Sequence, residues 1–171
     1  MNAATDCYAL LGLPQRFALD REQLDAAYRE RARRAHPDRH AQGGAAAQAQ
    51  ALDAATAINE AYRTLKDPAR RAAHLLALRG VDIRQTRPSS TLLMQQMNWH
   101  EALDAARDHA DGSALQRLGA ELRARLYACE ARLAAALDDA NPDLACAQLL
   151  EFGFLRRLLE AVVDAGEEVG V

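Results

Sequence analysis

The sequence predicts an all-α protein, and three observations lead to this prediction. Alanine is abundant, whereas the chain has only three Phe, four Tyr and one Trp, a composition typical of helices with cores of Leu and Ala. Apolar residues recur at helical spacing. Proline, glycine, serine, asparagine and aspartate stand between these segments, where helices begin and end.

Residues 1–80 predict two long helices that pair as an antiparallel hairpin. The first is capped by Asp20 and ends near Ala35, because Pro37 disfavours helical backbone at the residue before it. The second runs over residues 45–65. The inner faces predicted from spacing comprise Leu24, Ala27, Tyr28 and Ala35 on the first helix, and Leu52, Ala55, Ile58, Ala61, Tyr62 and Leu65 on the second.

Shorter helices flank this hairpin. Asp6 caps a helix that runs through Leu11 and ends at Gly12. Asp67 and Pro68 begin another, as cap and first helical residue, which runs to about Arg79 and ends at Gly80. Residues 81–88 show no helical period, and we expect them to be a linker.

Residues 89–171 predict a three-helix bundle, because three long helical segments follow one another through short connections. The first spans residues 90–110. Ser113 is expected to cap the second, which continues to residue 139, and Asn141-Pro142 starts the third, which ends near Gly166. The inner residues expected on the second bundle helix are Leu115, Leu118, Leu122, Leu126, Cys129, Leu133 and Leu137.

The first bundle helix carries apolar residues on two faces. At about 100° per residue, Leu92, Trp99, Leu103 and Ala106 fall on one stripe, whereas Leu93, Met94 and Met97 point the other way with Asn98 and Glu101. A three-helix bundle cannot surround such a helix, so either a partner protein or residues 1–80 must cover the second face. Methionine side chains suit a partner site, since they adapt to its shape.

Charge is divided unevenly along the chain. Residues 1–80 carry 12 Lys and Arg against 9 Asp and Glu, and residues 81–171 carry 9 against 15, so the balances are +3 and −6. This pattern indicates two separate binding functions rather than a uniformly basic nucleic-acid binder. With no apolar run of membrane-spanning length and no signal-type start, we expect a cytoplasmic protein without a membrane partner.

The three cysteines, Cys7, Cys129 and Cys146, are scattered singly. They form no C-x-x-C pair, so the sequence predicts neither a disulfide framework nor a metal site. Cys129 occupies an apolar position and is expected to be a buried thiol. We expect no metal and no cofactor.

A basic strip leads along the first long helix to a polar turn. Arg29, Arg33 and His36 project from one side of the helix, and Pro37 and Asp38 follow in the turn. From the residues alone, the strip is either a solvated helix face or an electrostatic dock for an acidic partner surface.

Five segments occur in a characteristic order in this half of the chain: Tyr8-Ala9-Leu10-Leu11-Gly12-Leu13-Pro14, Leu24-Asp25-Ala26-Ala27-Tyr28-Arg29, His36-Pro37-Asp38-Arg39, Ile58-Asn59-Glu60-Ala61-Tyr62-Arg63-Thr64-Leu65-Lys66-Asp67-Pro68 and Arg70-Arg71. This succession resembles the J domain of DnaJ-class co-chaperones, which stimulate ATP hydrolysis by DnaK-class chaperones. The resemblance implies chaperone binding by His36, Pro37, Asp38, Arg29, Arg33 and Arg34. Arg31 and Ala35 depart from the family pattern. Relatives usually carry an apolar residue at the position of Arg31 and often an aromatic residue at that of Ala35.

The second half, through Leu93-Met94-Gln95-Gln96-Met97 and Phe154-Leu155-Arg156-Arg157-Leu158, resembles HscB, a co-chaperone family of iron–sulfur cluster assembly. The resemblance implies an HscA-type chaperone and an IscU-type scaffold protein as partners. It implies that the scaffold is bound by Leu93, Met94, Met97, Glu101 and Phe154. Asn98 and Ala105 stand where some relatives carry acidic residues.

The sequence leaves three other functions as alternatives. A general DnaJ-like co-chaperone with a different client is the nearest alternative, but no Gly/Phe-rich stretch or Cys-x-x-Cys repeat follows residue 80. An enzyme using His36 and Asp38 lacks an accompanying nucleophile, metal set or phosphate loop. A nucleic-acid module using the Arg-rich helix lacks aromatic residues for stacking.

Overall fold

The computed structural model describes residues 5–36 and 44–170. Within these residues the regular structure consists of seven α-helices and one 3-10 turn. The chain divides into two compact units, residues 1–81 and 82–171. The prediction of an all-α fold is confirmed.

The first unit is built on an antiparallel helical hairpin. Its helices are α1 (Cys7–Leu11), α2 (Arg21–Arg34), α3 (Gly44–Lys66) and α4 (Pro68–Leu78). The Tyr28 hydroxyl of α2 donates to Asn59 Oδ1 of α3 at 2.9 Å. The Tyr62 hydroxyl of α3 donates to Asp25 of α2 at 2.8 Å. Helix α1 packs on both helices of the hairpin, mainly on α3, and α4 packs on α3.

Side-chain caps begin these helices at the predicted positions. The carboxylates of Asp6, Asp20 and Asp67 accept hydrogen bonds from backbone N–H groups in the first turns of α1, α2 and α4. Each cap satisfies donors that have no partner inside the helix. Helix α1 ends at Gly12, whose φ of 73° lies in the left-handed region that glycine adopts without penalty.

The predicted inner face of α3 is wrong at Leu52, which is 59% exposed. Ala51, Ile58 and Leu65 are buried instead, and their spacing of seven residues keeps them on one stripe. Leu52 lies about 100° from Ala51 around the helix, which turns it towards solvent. On α2 only Leu24 is buried, whereas Ala27, Tyr28 and Ala35 are half-buried.

The second unit consists of α5 (Ser90–Asp108), α6 (Gly112–Asp138) and α7 (Pro142–Val169), preceded by the 3-10 turn Ile83–Gln85. The predicted linker, residues 81–88, therefore contains a short regular turn. Helices α6 and α7 form the most extensive helix pair in the described chain. They run antiparallel, because Gly119 of α6 meets Val162 of α7, whereas Cys129, later in α6, meets Gln148, earlier in α7.

Most of the predicted core of α6 is confirmed. Leu115, Leu118, Leu122, Cys129, Leu133 and Leu137 are buried, and Leu126 is half-buried. The predicted cap Ser113 is wrong. Asp111 caps α6 by accepting from the Ala114 N–H at 2.9 Å, and the Ser113 hydroxyl donates to the same carboxylate at 2.8 Å.

Candidate partner-binding surfaces

The basic strip is exposed at Arg29, Arg33 and His36, and Arg34 beside it on α2 is exposed as well. Glu30 changes the charge distribution on this side of α2. Its carboxylate pairs with Arg33, and it also accepts from Arg34 Nε at 2.6 Å. One carboxylate therefore offsets part of the positive charge of two arginines that we predicted to face an acidic partner.

Helix α2 ends where the sequence predicts. Its last residue is Arg34, and Ala35 is the cap, with its N–H donating to the Arg31 carbonyl at 3.0 Å. Pro37 and Asp38 lie outside the described residues. Of the predicted turn, His36 alone has a described position.

A stacked pair of tyrosines holds α2 against α3. The rings of Tyr28 and Tyr62 lie with their centroids 4.2 Å apart. Asp25 accepts from the Tyr62 hydroxyl and from Arg21 Nε, the latter at 2.9 Å. The hydrogen bond from Tyr62, followed by that from Arg21, lowers the pKa of Asp25, and the same Tyr62–Asp25 bond raises the pKa of Tyr62. This network sets the position of α2 and hence of its basic face.

The departure at Arg31 has a structural consequence. The side chain is half-buried, and its guanidinium lies so close to Gly12 that a Cβ atom there would be 2.9 Å from Nη2. The Arg31 head group therefore covers the end of α1, at the position where the resemblance to the J domain implied an apolar side chain.

Helix α5 presents two faces, as the sequence predicts. Leu92, Trp99, Leu103 and Ala106 are buried. On the other face, Leu93 is 46% exposed, Met94 67% and Met97 63%. Asn98, Glu101 and Ala105 are also exposed. Within the second unit, the face carrying Leu93, Met94 and Met97 is therefore an unpartnered apolar patch, bordered by the carboxylate of Glu101.

Phe154 takes a different place from the other predicted scaffold-binding residues. It is 8% exposed and stacks on Trp99 with ring centroids 6.0 Å apart and an interplanar angle of 19°. The rings of Phe154 and His100 also form a T-shaped pair, with centroids 5.8 Å apart. Phe154 thus lies beneath α5 rather than beside Met94 and Met97 on the surface.

A cluster around Trp99 was not predicted from the sequence. The indole Nε1 donates to Glu121 Oε1 at 3.3 Å, and Arg125 Cζ lies 4.9 Å from the indole ring centroid. Arg125 also pairs with Glu121, with 3.5 Å between Nε and Oε1. The i, i+4 spacing of Glu121 and Arg125 indicates an ion pair, but nothing in the sequence pairs these residues with α5.

The thiol of Cys129 is buried, as predicted. It donates to the Gln148 carbonyl at a sulfur–oxygen distance of 3.3 Å, and burial raises its pKa to about 12. Cys146 is buried as well, and Cys7 is half-buried. Among residues 5–36 and 44–170, no group of three or more His, Cys, Asp or Glu side chains is placed to hold a metal ion.

Comparisons with known proteins match both units. A DnaJ domain family model matches residues 6–74, and the family model described as "HSCB C-terminal oligomerisation domain" matches residues 88–163. A protein of Ralstonia nicotianae named "Co-chaperone protein HscB homolog" is 44% identical over 170 residues, covering 96% of this chain and 97% of the relative. The chain belongs to the HscB co-chaperone family.

Further HscB relatives are similar over most of the chain. A homologue from Chromobacterium violaceum is 46% identical over 135 residues, 77% of this chain and 76% of the relative. The solved structure of chaperone HscB from Vibrio cholerae superposes with a TM-score of 0.86 at 31% identity, covering 96% of this chain and 99% of that one. Human HscB shares the fold, with a TM-score of 0.85 at 20% identity over 95% of this chain and 83% of the human one.

Family membership makes the protein a co-chaperone, and its J domain implies a chaperone of the DnaK class as partner. In the part of the chain that the structure describes, no helix combines the length and the apolar character needed to cross a membrane.

Proposed function

We propose that this protein stimulates the ATPase of an HscA-type chaperone and delivers an IscU-type scaffold protein to it during iron–sulfur cluster assembly. The observation that carries the proposal is the apolar patch Leu93, Met94 and Met97, exposed on a helix of the HscB-type unit. Exposing such a patch to water is unfavourable in free energy, and a partner surface that covers the patch removes this penalty.

For the chaperone end, the proposed contacts are His36, Pro37 and Asp38 together with Arg29, Arg33 and Arg34. The exposure of the three arginines and of His36 supports this role. A negatively charged chaperone surface would be attracted by the strip during encounter. We propose that Asp38 acts as a charged hydrogen-bonding group towards a cation of the chaperone.

For the scaffold end, Leu93, Met94 and Met97 are the proposed apolar contacts and Glu101 the charged one. Phe154 is proposed to support this surface from below, since it is buried against Trp99. The unbranched Met side chains adapt to an irregular partner surface.

The proposed mechanism needs no chemical group from this protein, which we therefore expect not to be an enzyme. Binding the ATP form of the chaperone more tightly than other forms biases it towards a conformation competent for hydrolysis. Carrying the scaffold on the same chain raises the scaffold's effective concentration beside the chaperone. A cytoplasmic location, expected from the sequence, stays a prediction.

The two ends can be tested separately with an HscA-type chaperone and an IscU-type scaffold from bacteria. Replacing His36, Pro37 and Asp38 together by alanine should abolish stimulation of ATP hydrolysis and leave scaffold binding intact. Replacing Met94 and Met97 by serine should weaken scaffold binding about tenfold or more, because two apolar contacts are lost. Stimulation by the same variant, measured without scaffold, should be unchanged.

Leu144→Ser is the matched control for Leu93→Ser, because each leucine is 46% exposed. The first lies on α7 and the second in the patch on α5. The proposal requires Leu93→Ser alone to weaken scaffold binding. Equal effects of the two substitutions, or loss of both activities in either multiple variant, would contradict a two-ended adaptor.

A further inference from the structure

We infer that Trp99 is the anchor that sets the rotation of α5, and that Arg125 holds this anchor in place. Arg125 is therefore a positioning residue for scaffold binding. This inference rests on the proposed function, and it assigns a role to residues of α6 that the resemblance to HscB did not include.

Trp99 joins α5 to both of its neighbours. Its indole N–H donates to Glu121 of α6 at 3.3 Å, and its ring stacks on Phe154 of α7 at 6.0 Å. Trp99 is 7% exposed, although it lies only two residues from Met97, which is 63% exposed. A residue buried on one side of a helix fixes where the residues on the other side point.

The geometry of α5 makes this link quantitative. Two residues along a helix correspond to about 200° of rotation, so an inward Trp99 turns Met97 outward. Leu93 and Met97, four residues apart, then share one face. Any change that lets the indole leave its site therefore rotates the apolar patch away from the direction in which the scaffold would meet it.

Arg125 contacts the anchor from the solvent side of the bundle. Its Cζ atom lies 4.9 Å from the indole ring centroid, and its Nε lies 3.5 Å from the carboxylate that accepts the indole hydrogen bond. The Arg125 side chain is 42% exposed, so it can be removed without opening a cavity in the core. The guanidinium thus orders both the ring and the hydrogen-bond acceptor of Trp99.

Helix α5 depends on such an anchor because it is less tightly packed than its partners. Contacts of α5 with α6 and with α7 are far fewer than those between α6 and α7. Its other buried side chains, Leu92, Leu103 and Ala106, are aliphatic and make non-directional contacts. The Trp99 cluster supplies directional contacts that a purely aliphatic interface between α5 and its neighbours would lack.

The experiment uses the full chain and an IscU-type scaffold protein, with affinities measured by calorimetry. Arg125→Ala should weaken scaffold binding about two- to fivefold, the loss expected from one partly exposed cation–π contact. Arg125→Lys, which keeps a cation over the ring, should restore most of the affinity. The fluorescence of Trp99, the only Trp of the chain, should shift in the alanine variant and return in the lysine variant.

Arg132→Ala is the matched control. Arg132 lies on the same helix, is 51% exposed, and pairs with Glu151 and Gln148 of α7 instead. It should change neither the Trp99 fluorescence nor the scaffold affinity, and stimulation of the chaperone without scaffold should be the same in all variants.

Two results separate this inference from the proposed function. If the unaltered chain binds the scaffold but Arg125→Ala binds as tightly as Arg132→Ala, the positioning role is wrong and the proposed function stands. If the unaltered chain does not bind the scaffold, the proposed function fails and the positioning role fails with it. A lysine variant as weak as the alanine variant also contradicts the inference.

Discussion

Replacing Arg71 by alanine should destabilise the J-domain unit far more than replacing its neighbour Arg70. Arg71 is 9% exposed and donates from Nη1 to the Leu65 carbonyl at 2.8 Å. Its Cζ atom lies 4.7 Å from the ring centroid of Phe17. Arg70, on the same helix, has a side chain that is 50% exposed and pairs with Glu60 at 2.6 Å.

The expected difference follows from burial. A hydrogen bond from a charged donor contributes about 1.5–3 kcal/mol, and a desolvated cation–π contact adds on the order of 1–2 kcal/mol. Arg71→Ala should therefore cost about 3 kcal/mol, whereas an exposed ion pair such as Arg70–Glu60 contributes about 0–1 kcal/mol. For a domain of this size, 1 kcal/mol shifts Tm by roughly 4–8 °C, so Arg71→Ala should lower Tm by on the order of 15 °C.

Thermal unfolding of the full chain can assign the loss to one unit. Trp99 lies in the unit of residues 82–171 and is the only Trp, so its fluorescence reports that unit. Far-ultraviolet circular dichroism reports the helices of both. Arg71→Ala should move the circular-dichroism transition to lower temperature and leave the fluorescence transition in place. A Tm within a few degrees of that of Arg70→Ala would refute the reasoning.

Two further predictions concern the same unit. Burial lowers the pKa of His74, and its Nε2 accepts a hydrogen bond from the Cys7 N–H at 3.1 Å. The unfolded chain therefore binds a proton at His74 more readily than the folded chain does. The free energy of unfolding should fall as pH drops below about 6.5. His74→Gln should reduce this dependence of the unfolding free energy on pH, measured by urea unfolding at several pH values. An unchanged dependence would contradict the prediction. Gly12→Ala should cost about 1–2 kcal/mol because φ is +73°. Gly153→Ala, inside α7, should instead be neutral or stabilising. If the two substitutions change the free energy of unfolding equally, the positive φ of Gly12 is not the cause of its effect.

Local signals in the sequence determined most of the helical architecture. Caps such as Asp20 and Asn141 satisfy backbone donors a few residues away, so helix starts can be predicted from neighbours alone. The two faces of α5 were predictable for a similar reason, because helical rotation places Trp99 and Met97 on opposite sides whatever the helix packs against. The ordered segments that indicated a J domain, and the two segments of the second half that indicated the HscB family, are likewise properties of the chain itself.

Tertiary structure decided what depends on the distance between segments far apart in sequence. The exposure of Leu52, the burial of Phe154 under α5 and the contact of Arg31 with Gly12 follow from how helices pack, which no local pattern encodes. The Trp99–Arg125 contact joins residues on different helices for the same reason. Periodicity assigns a side chain to a face of its own helix, but only packing decides which neighbour that face meets and how much of it remains exposed to solvent.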